Sequence, residues 1–247
     1  MINIKKIFSH LVNKVQKKSP SNNFKILKKI FNQNNQLTIF DVGANEGRFI
    51  EKALNCFNRA TIHAFEPSEK EFSILQDKYA KKKGLILNNC ALGSAKEQKY
   101  FNITFKGGLN SFYDVHEDTK WFLRQQNSKT FDKSFYIKKI KLDIETIDNY
   151  AKNIDSIDIL KIDTQGSESK VLEGSVKSLA SKKIKAILLE IIISDIYKTN
   201  INFFEIEKNL VNNGYKLVSL DNHGNIFDMT IFQLNAIYLQ KRLINFV

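Results

Sequence analysis

With 247 residues, 43% of them apolar, the chain is long enough to bury the core of one α/β domain. Two cysteines provide no disulfide framework, and the longest apolar runs, such as residues 186–193, are too short to span a bilayer. The net charge of +12 suggests nucleic acid, but the lysines are scattered and are not interleaved with aromatic residues. Because the N-terminus also shows no signal-peptide pattern, we expect a cytoplasmic enzyme.

Residues 1–36 are predicted to form amphipathic helices that precede the main domain, which we place at 37–247. Apolar residues recur at helical spacing over residues 4–15, with lysines around them, and Ser-Pro-Ser at 19–21 separates this helix from a second one. Such a basic helix can lie on an anionic membrane surface. The alternative, which we favour, is a helical cap on the domain or on a second subunit of a homo-oligomer.

From residue 37 onward, apolar runs and helical patterns alternate. The predicted strands span residues 37–42, 60–66, 85–90, 157–163, 184–193 and 215–220, with a last strand at 236–240. The predicted helices span residues 47–55, 68–82, 167–180 and 202–213. Such alternation indicates a mainly parallel sheet with helices on both faces. The last strand follows a turn-rich stretch and is expected to return antiparallel at the sheet edge.

The turn between the first predicted strand and helix carries Asp41, Gly43, Asn45 and Gly47. Its glycines let the backbone approach a ligand, and the first helical N–H groups point into the site. Glu66 ends the second predicted strand, where a carboxylate can accept both ribose hydroxyls. A dinucleotide fold requires G-x-G-x-x-G, which this loop lacks. The carboxylate before the first glycine would repel a pyrophosphate but suits an amino group and a sulfonium, so we predict S-adenosylmethionine as the cofactor.

Residues 104–136 interrupt the alternation with a loop-rich insertion that contains Gly107, Gly108 and the single tryptophan. A long loop in a compact domain is usually functional. We interpret it as a lid over the cofactor edge of the sheet. The alternative is a surface excursion with its own small apolar cluster.

The run from Ile39 to Gly47 resembles the opening motif of the FkbM-type methyltransferases. Further similar segments, in chain order, are Phe65-Glu66-Pro67, Ala91-Leu92-Gly93, Leu142-Asp143, Leu160 to Glu168, Val171 to Gly174 and Glu190. The resemblance covers about residues 37 to 240. It implies a class I methyltransferase (Rossmann-like) seven-stranded sheet and methyl transfer from S-adenosylmethionine to oxygen, most often a hydroxyl. Bacterial members act on sugars of surface polysaccharides or on secondary metabolites.

Position 165 departs from the family pattern, because it is Gln where many members have Glu. Glutamine keeps the hydrogen-bonding shape but loses the charge. This departure weakens any role for residue 165 that needs a carboxylate, including metal ligation.

The residues predicted to bind the cofactor come from several segments of the chain. The predicted cofactor-binding residues are Asp41, Gly43, Asn45, Gly47, Glu66, Asn89, Ala91 and Ser111. In this set the first four hold the methionine end, Glu66 holds the ribose, and Asn89 and Ala91 edge the adenine. Ser111 is placed only by its resemblance to a small-residue segment of the family.

Asp163 and Glu190 end neighbouring predicted strands, and we predict that they orient or deprotonate the acceptor hydroxyl. The alternatives are a helix N-cap for Asp163 and a salt bridge for Glu190. A magnesium ion between them is a further alternative, not favoured because only two carboxylates converge. His116 and His223 lie in predicted loops and could reach an acceptor as bases, although an ordinary loop histidine is the favoured alternative for each, while His63 is expected to be structural.

Competing functions follow from the charge and from the fold. A nucleic-acid methyltransferase that flips out bases usually carries a Pro-Pro-aromatic motif after the fourth strand, and residues 163–166 read Asp-Thr-Gln-Gly instead. A non-catalytic scaffold with this fold would bind no cofactor. A nicotinamide dehydrogenase is disfavoured because this chain lacks the third glycine of the dinucleotide-binding motif. The favoured partner is a small-molecule or sugar acceptor. The positive field would suit a phosphorylated one.

Overall fold

The computed structural model describes residues 22–127, 134–199, 202–225 and 230–244. Its helices are α1 (Asn22–Ile30), α2 (Arg48–Cys56), α3 (Glu69–Tyr79), α4 (Lys120–Gln126), α5 (Ile147–Tyr150), α6 (Glu168–Glu173), α7 (Val176–Ala180), α8 (Phe203–Asn212) and α9 (Lys241–Ile244). Its strands are β1 (Thr38–Val42), β2 (Thr61–Phe65), β3 (Leu85–Asn88), β4 (Ala91–Leu92), β5 (Glu97–Thr104), β6 (Tyr136–Glu145), β7 (Ile157–Ile162), β8 (Ile184–Ile192), β9 (Tyr215–Asn225) and β10 (Thr230–Gln240).

Seven strands form one sheet in the order β3-β2-β1-β7-β8-β10-β9. The pairs from β3 to β8 are parallel, and β10 is antiparallel to both β8 and β9. The mainly parallel seven-stranded sheet predicted from the sequence is therefore confirmed. The strand order reverses between β1 and β7, and ligands of such sheets bind outside the carboxyl ends at this point.

The central strands are apolar on both faces because helices cover both faces. Ile39, Ile159 and Leu188 face the layer of α1, α2 and α3, and their alternating neighbours face the layer of α5 to α8. Strands of this kind lack a polar face, which explains the continuous apolar runs in the sequence. Their carboxyl ends, where polar residues follow, are left uncovered for a site.

Two predicted boundaries are corrected by the structure. Residues 221–225, expected to be a turn, continue β9, and β10 starts at Thr230 and lies inside the sheet, not at its edge. The predicted helix 167–180 is broken into α6 and α7 at Gly174. The backbone at Gly174 approaches Gly93 so closely that a Cβ would stand 1.9 Å from the Gly93 carbonyl oxygen.

A second sheet, ordered β4-β6-β5, brackets the predicted insertion. Within the insertion, residues 107–109 form a 3-10 turn, and α4 packs in a separate apolar cluster around Val115, Phe122 and Tyr197. The lid function of this segment stays a prediction.

The predicted helix at residues 4–15, with its possible membrane or subunit contact, lies outside the described residues. The helix that follows, α1, packs its Phe24 and Leu27 into the core layer shared with α2. Within the described ranges, none of the helices combines the length and the apolarity that crossing a membrane requires.

Candidate active site

A cavity of about 1240 Å³ opens at the carboxyl ends of β1, β2, β7 and β8. Residues 43–46 and Glu66 line one part of it, and Asp163 and Glu190 line its centre. A third part extends between α2 and the strands β9 and β10. The fold thus brings the predicted cofactor loop and the predicted catalytic carboxylates to one space.

The loop between β1 and α2 depends on left-handed backbone. Gly43, Asn45 and Gly47 have φ angles of 75°, 49° and 86°. At Gly43 the backbone is also so close to the next strand end that a Cβ would stand 1.9 Å from the Asp163 carbonyl oxygen. Only glycine meets both conditions at position 43.

The N–H groups of residues 43–47 are all used inside the protein. Those of residues 43 and 44 donate to the Phe65 carbonyl oxygen, both at 3.0 Å, and that of Gly47 donates to a carbonyl within the loop. The Asn45 N–H donates to Glu66 Oε2 at 2.8 Å, and the next N–H donates to the Asn45 side chain. These five groups are therefore engaged within the protein, which disfavours a pyrophosphate in the loop, and the prediction that the first helical N–H groups of α2 point into the site stays a prediction.

Glu66 lines the cavity at the end of β2, as expected for a ribose ligand. Its Oε2 accepts from Asn45 N–H and its Oε1 accepts from the Ser68 N–H at 2.9 Å, which fixes the carboxylate. Burial raises its pKa to about 7, against the opposing effect of these hydrogen bonds. Each oxygen keeps a lone pair for a hydroxyl donor.

Asp41 does not line the cavity, which corrects its predicted contact with the cofactor. Its side chain is fully buried, 3.0 Å from the Lys161 ammonium. That ammonium also donates to the Gly43 carbonyl oxygen at 2.6 Å. Burial alone would lower the pKa of Lys161, but the carboxylates of Asp41 and Asp163 outweigh it and raise the pKa. Asp41 therefore supports the loop indirectly, through a charged lysine that sequence reasoning missed.

Two further predicted cofactor residues serve the framework instead. The Asn89 side chain donates to the Glu66 carbonyl oxygen at 2.9 Å and ties the end of β3 to that of β2. The Ser111 hydroxyl is buried and donates to the Gln165 carbonyl oxygen at 2.7 Å. Neither lines the cavity, whereas the predicted Ala91 does. The insertion contributes Gly107, Gly108, Asn110 and Phe112 to the lining.

Asp163 and Glu190 are brought together by the side chain of Gln165. Its Nε2 donates to Asp163 Oδ1 at 3.0 Å and to Glu190 Oε1 at 3.3 Å. Burial, together with the charge of Asp163, raises the pKa of Glu190 to about 8. The Lys161 ammonium lies 3.6 Å from Asp163 Oδ2. The centre thus contains two carboxylates, an amide and one buried cation.

Asp163 is not the N-cap of α6, because Ser167 occupies that position. Glu168, which sequence reasoning left unassigned, accepts from the N–H groups of Thr164 and Gly166 at 2.9 and 3.2 Å and closes this loop. Its burial raises its pKa to about 7.

Neither His63 nor His116 lines the cavity. The backbone N–H of His116 donates to the Ile196 carbonyl oxygen at 2.7 Å beside the separate apolar cluster. The role of His116 as a base stays a prediction, and the side chain of His223 lies outside the described part of the structure. His63 lies 2.9 Å from the Tyr150 hydroxyl, within a group of packed aromatic rings, in keeping with a structural role.

The profile of the FkbM methyltransferase domain matches residues 41–217, which contain nearly all of this site. The chain belongs to the FkbM methyltransferase family. A comparison with curated protein sequences finds no match. Membership of the family therefore rests on the profile.

The chain is similar in structure to solved proteins of low sequence identity. A methyltransferase FkbM from Methylobacillus flagellatus KT superposes with a TM-score of 0.53 at 13% identity, over 85% of this chain and 44% of that one. The chain thus spans less than half of that protein. A precorrin-6y C5,15-methyltransferase from Geobacter metallireducens GS-15 gives 0.48 at 12% identity, over 91% and 90% of the two chains. A magnesium protoporphyrin IX methyltransferase from Synechocystis PCC 6803 gives 0.48 at 13%, over 89% and 77%.

Position 165 is where this chain departs from the pattern expected for the family. The described part of the chain holds no group of three or more His, Cys, Asp or Glu side chains arranged to hold a metal ion. The place beside Asp163 and Glu190 that a third carboxylate would fill belongs to the Gln165 amide.

Proposed function

We propose that the chain binds S-adenosylmethionine and transfers its methyl group to a hydroxyl oxygen of a small molecule or sugar. The observation that carries the proposal is the pair of carboxylates at the centre of the cavity, one of which, Glu190, has a pKa raised to about 8. A general base works best when its pKa lies near the working pH. A hydroxyl acceptor needs such a base.

The cavity fits the cofactor in charge and in shape. Gly43 lines the cavity, and Glu66 presents a fixed carboxylate for the ribose. The carboxylates of Asp163 and Glu190 suit a positive sulfonium, whereas the engaged N–H groups of the loop do not suit a pyrophosphate. When bound, S-adenosylmethionine supplies a methyl group already activated by its positive sulfur.

The residues of the chain position the acceptor and move one proton. As the acceptor oxygen forms its bond to the methyl carbon, the bond from that carbon to sulfur breaks, and Glu190 Oε2 takes the hydroxyl proton. The Gln165 amide holds Oε1 of the same carboxylate at 3.3 Å. Alignment of the two reacting atoms in a fixed site provides much of the rate.

The far part of the cavity supports a polyhydroxylated acceptor. Asn235 pairs in register with Glu190 on one side and with Asp221 on the other, so the three side chains share one face of the sheet. With Gln233, Asn235 and Asp221 line the cavity, and none of the three has a side-chain hydrogen bond to another described residue. Amides and carboxylates with free capacity match hydroxyl groups, which both donate and accept.

The opposite wall is aromatic and basic. The rings of Phe24 and Phe49 lie 5.3 Å apart and line the cavity, as do Arg48 and Lys52 of α2. The rings suit the apolar face of a sugar ring, and the two cations suit an acceptor that carries phosphate.

Two measurements test the proposal. Calorimetric titration with S-adenosylmethionine, S-adenosylhomocysteine and NAD should show binding of the first two alone. The Glu66→Ala variant should bind at least about tenfold more weakly, and the matched variant of the exposed Glu69 should bind normally. Transfer of labelled methyl to a panel of sugars, sugar phosphates and phenols, read by mass spectrometry, should give an O-methylated product. Binding of NAD alone, or methylation of RNA, DNA or an amine, would overturn the proposal.

A further inference from the structure

We infer that Gln165 is a positioning residue that holds the Asp163 and Glu190 carboxylates together with its amide, in the place that a divalent cation would otherwise fill. The inference rests on the proposed function for its catalytic meaning. Its geometric content, a neutral donor between two acids, does not depend on that function.

The backbone fixes the direction of the Gln165 side chain. Gln165 has a φ of 52° and the following Gly166 a φ of 105°, so the chain makes a sharp turn directly after β7. The Gln165 carbonyl oxygen accepts from the Ser111 hydroxyl at 2.7 Å, and Glu168 ties down the N–H groups on either side of residue 165. A non-glycine residue in the left-handed region is held there by its surroundings.

The contacts also fix which end of the amide faces the acids. The hydroxyl of the buried Tyr197 lies 3.1 Å from Gln165 Oε1 and 3.3 Å from the Leu109 carbonyl oxygen, and Gln165 is the nearer acceptor for its proton. The Nε2 atom of the same amide lies against Asp163 and Glu190. The reverse orientation would place the amide oxygen against two carboxylate oxygens. Because an amide nitrogen has two protons, Nε2 has one for each acid.

The position of Nε2 excludes a cation from the same place. An oxygen-bound magnesium or calcium ion needs several oxygen ligands at about 2.0–2.6 Å. Here the atom that touches both acids is a nitrogen donor, and it has no lone pair to offer. The charged groups that face Glu190 are Asp163, Lys161, Glu168 and, along the sheet, Asp221. Of these only Lys161 is positive, and its ammonium is shared among Asp41, the Gly43 carbonyl oxygen and Asp163.

The amide has a chemical consequence for the base. A divalent cation would hold both acids ionised, with pKa values well below neutral. Here burial, and after it the charge of Asp163, raises the pKa of Glu190 to about 8, and the hydrogen bond from the neutral amide lowers that pKa only in part. Gln165 thus keeps the two carboxylates adjacent while one of them stays able to take a proton near neutral pH.

Replacement of Gln165 by Glu tests the inference through metal binding. The variant Gln165→Glu brings three carboxylates to one point and should bind Mn²⁺, seen by electron paramagnetic resonance, at least about tenfold more tightly than the wild type. The matched control is Gln98→Glu, because the Gln98 amide donates to the single carboxylate of Asp143 at 2.7 Å on the exposed second sheet. That control should leave Mn²⁺ binding unchanged. Equal Mn²⁺ binding by the wild type and Gln165→Glu would overturn the inference.

Replacement by Met tests the hydrogen bonds themselves. Gln165→Met keeps the length of the side chain and removes both donors, so the titration of Glu190 should move upward by about one pH unit. Carbon-13 NMR of glutamate-labelled protein, assigned with Glu190→Gln, measures it. An unchanged titration would overturn the inference, and if the Met variant does not fold, the Mn²⁺ comparison decides. If the wild type fails to bind S-adenosylmethionine while both results hold, the proposed function falls and the role of Gln165 stands.

Discussion

Replacement of Gly43 by Ala should damage the fold and the cofactor site together. Two separate costs apply at this position. Its φ of 75° costs an L-residue about 1–2 kcal/mol. The new Cβ would also stand 1.9 Å from the Asp163 carbonyl oxygen, a backbone atom that moves only if the strand end moves. Overpacking of this kind costs about 1–3 kcal/mol.

Together these costs amount to about 3 kcal/mol, which corresponds to a loss of roughly 6–12 °C in Tm for a chain of this size. Thermal unfolding followed by circular dichroism measures the loss. Titration of the folded fraction of the variant with S-adenosylmethionine should show weaker binding than in the wild type. The new Cβ forces the loop between β1 and α2 away from the Asp163 carbonyl, which moves the residues proposed to bind the cofactor.

The matched control is Gly108→Ala, in the wall of the same cavity. At Gly108 the nearest heavy atom to a new Cβ is Asn45 Nδ2, at an ordinary 3.5 Å, and the unfolding free energy should change by less than about 0.5 kcal/mol. If the two variants melt within roughly 2 °C of each other, the close contact between the loop and the end of β7 is not what the structure describes, and the reasoning is refuted.

Three other outcomes are expected. Burial raises the pKa of Glu168 from 4.5 to about 7, so the folded protein favours the protonated carboxyl. The stability that this carboxyl contributes is full below pH 4.5 and is lost as the pH rises through 7. Urea unfolding at pH 5 and pH 8 should therefore show that the free energy of unfolding falls by up to about 3 kcal/mol between these two pH values, and that this fall is smaller in Glu168→Gln. The same fall in the wild type and in the variant would contradict the reasoning. Lys161→Met leaves the Asp41 carboxylate buried without a cation and should lower the free energy of unfolding by about 3–5 kcal/mol. Adding Asp41→Asn should restore part of this stability. A double variant no more stable than Lys161→Met would argue against the ion pair of Lys161 and Asp41. With an acceptor from the panel, the rate should rise with pH to a plateau above about 8, and Glu190→Gln should lower it by about 10²-fold or more and remove that rise.

The sequence predicted the parts of the fold and the site that local chemistry decides. The apolar runs of β1, β7 and β8 and the glycines of the turn at 43–47 are local signals, and the structure has the strands and the turn where these signals predict them. Asp, Asn and Gly are abundant in residues 221–225, which predicts a turn there. Pairing along β10, a long-range contact, makes them a strand.

The site residues missed from the sequence are those whose partners lie far along the chain. Asp41 looks like a ligand until Lys161 is found beside it, 3.0 Å away and 120 positions later in the sequence. Ser111 and Asn89 look available until their hydrogen bonds to backbone carbonyls are seen. A polar residue next to a binding loop is thus a weak signal by itself, since the framework needs polar residues too.

The insertion of β10 between β8 and β9 has a consequence for the order in which the protein is made. Of the ten described strands β10 is the last to leave the ribosome, and until it does β9 has no neighbour in the sheet. The strands that hold the cofactor loop are complete long before that. A nascent chain should therefore form the proposed site for the methyl donor before the cavity wall of Asp221, Gln233 and Asn235 is in place.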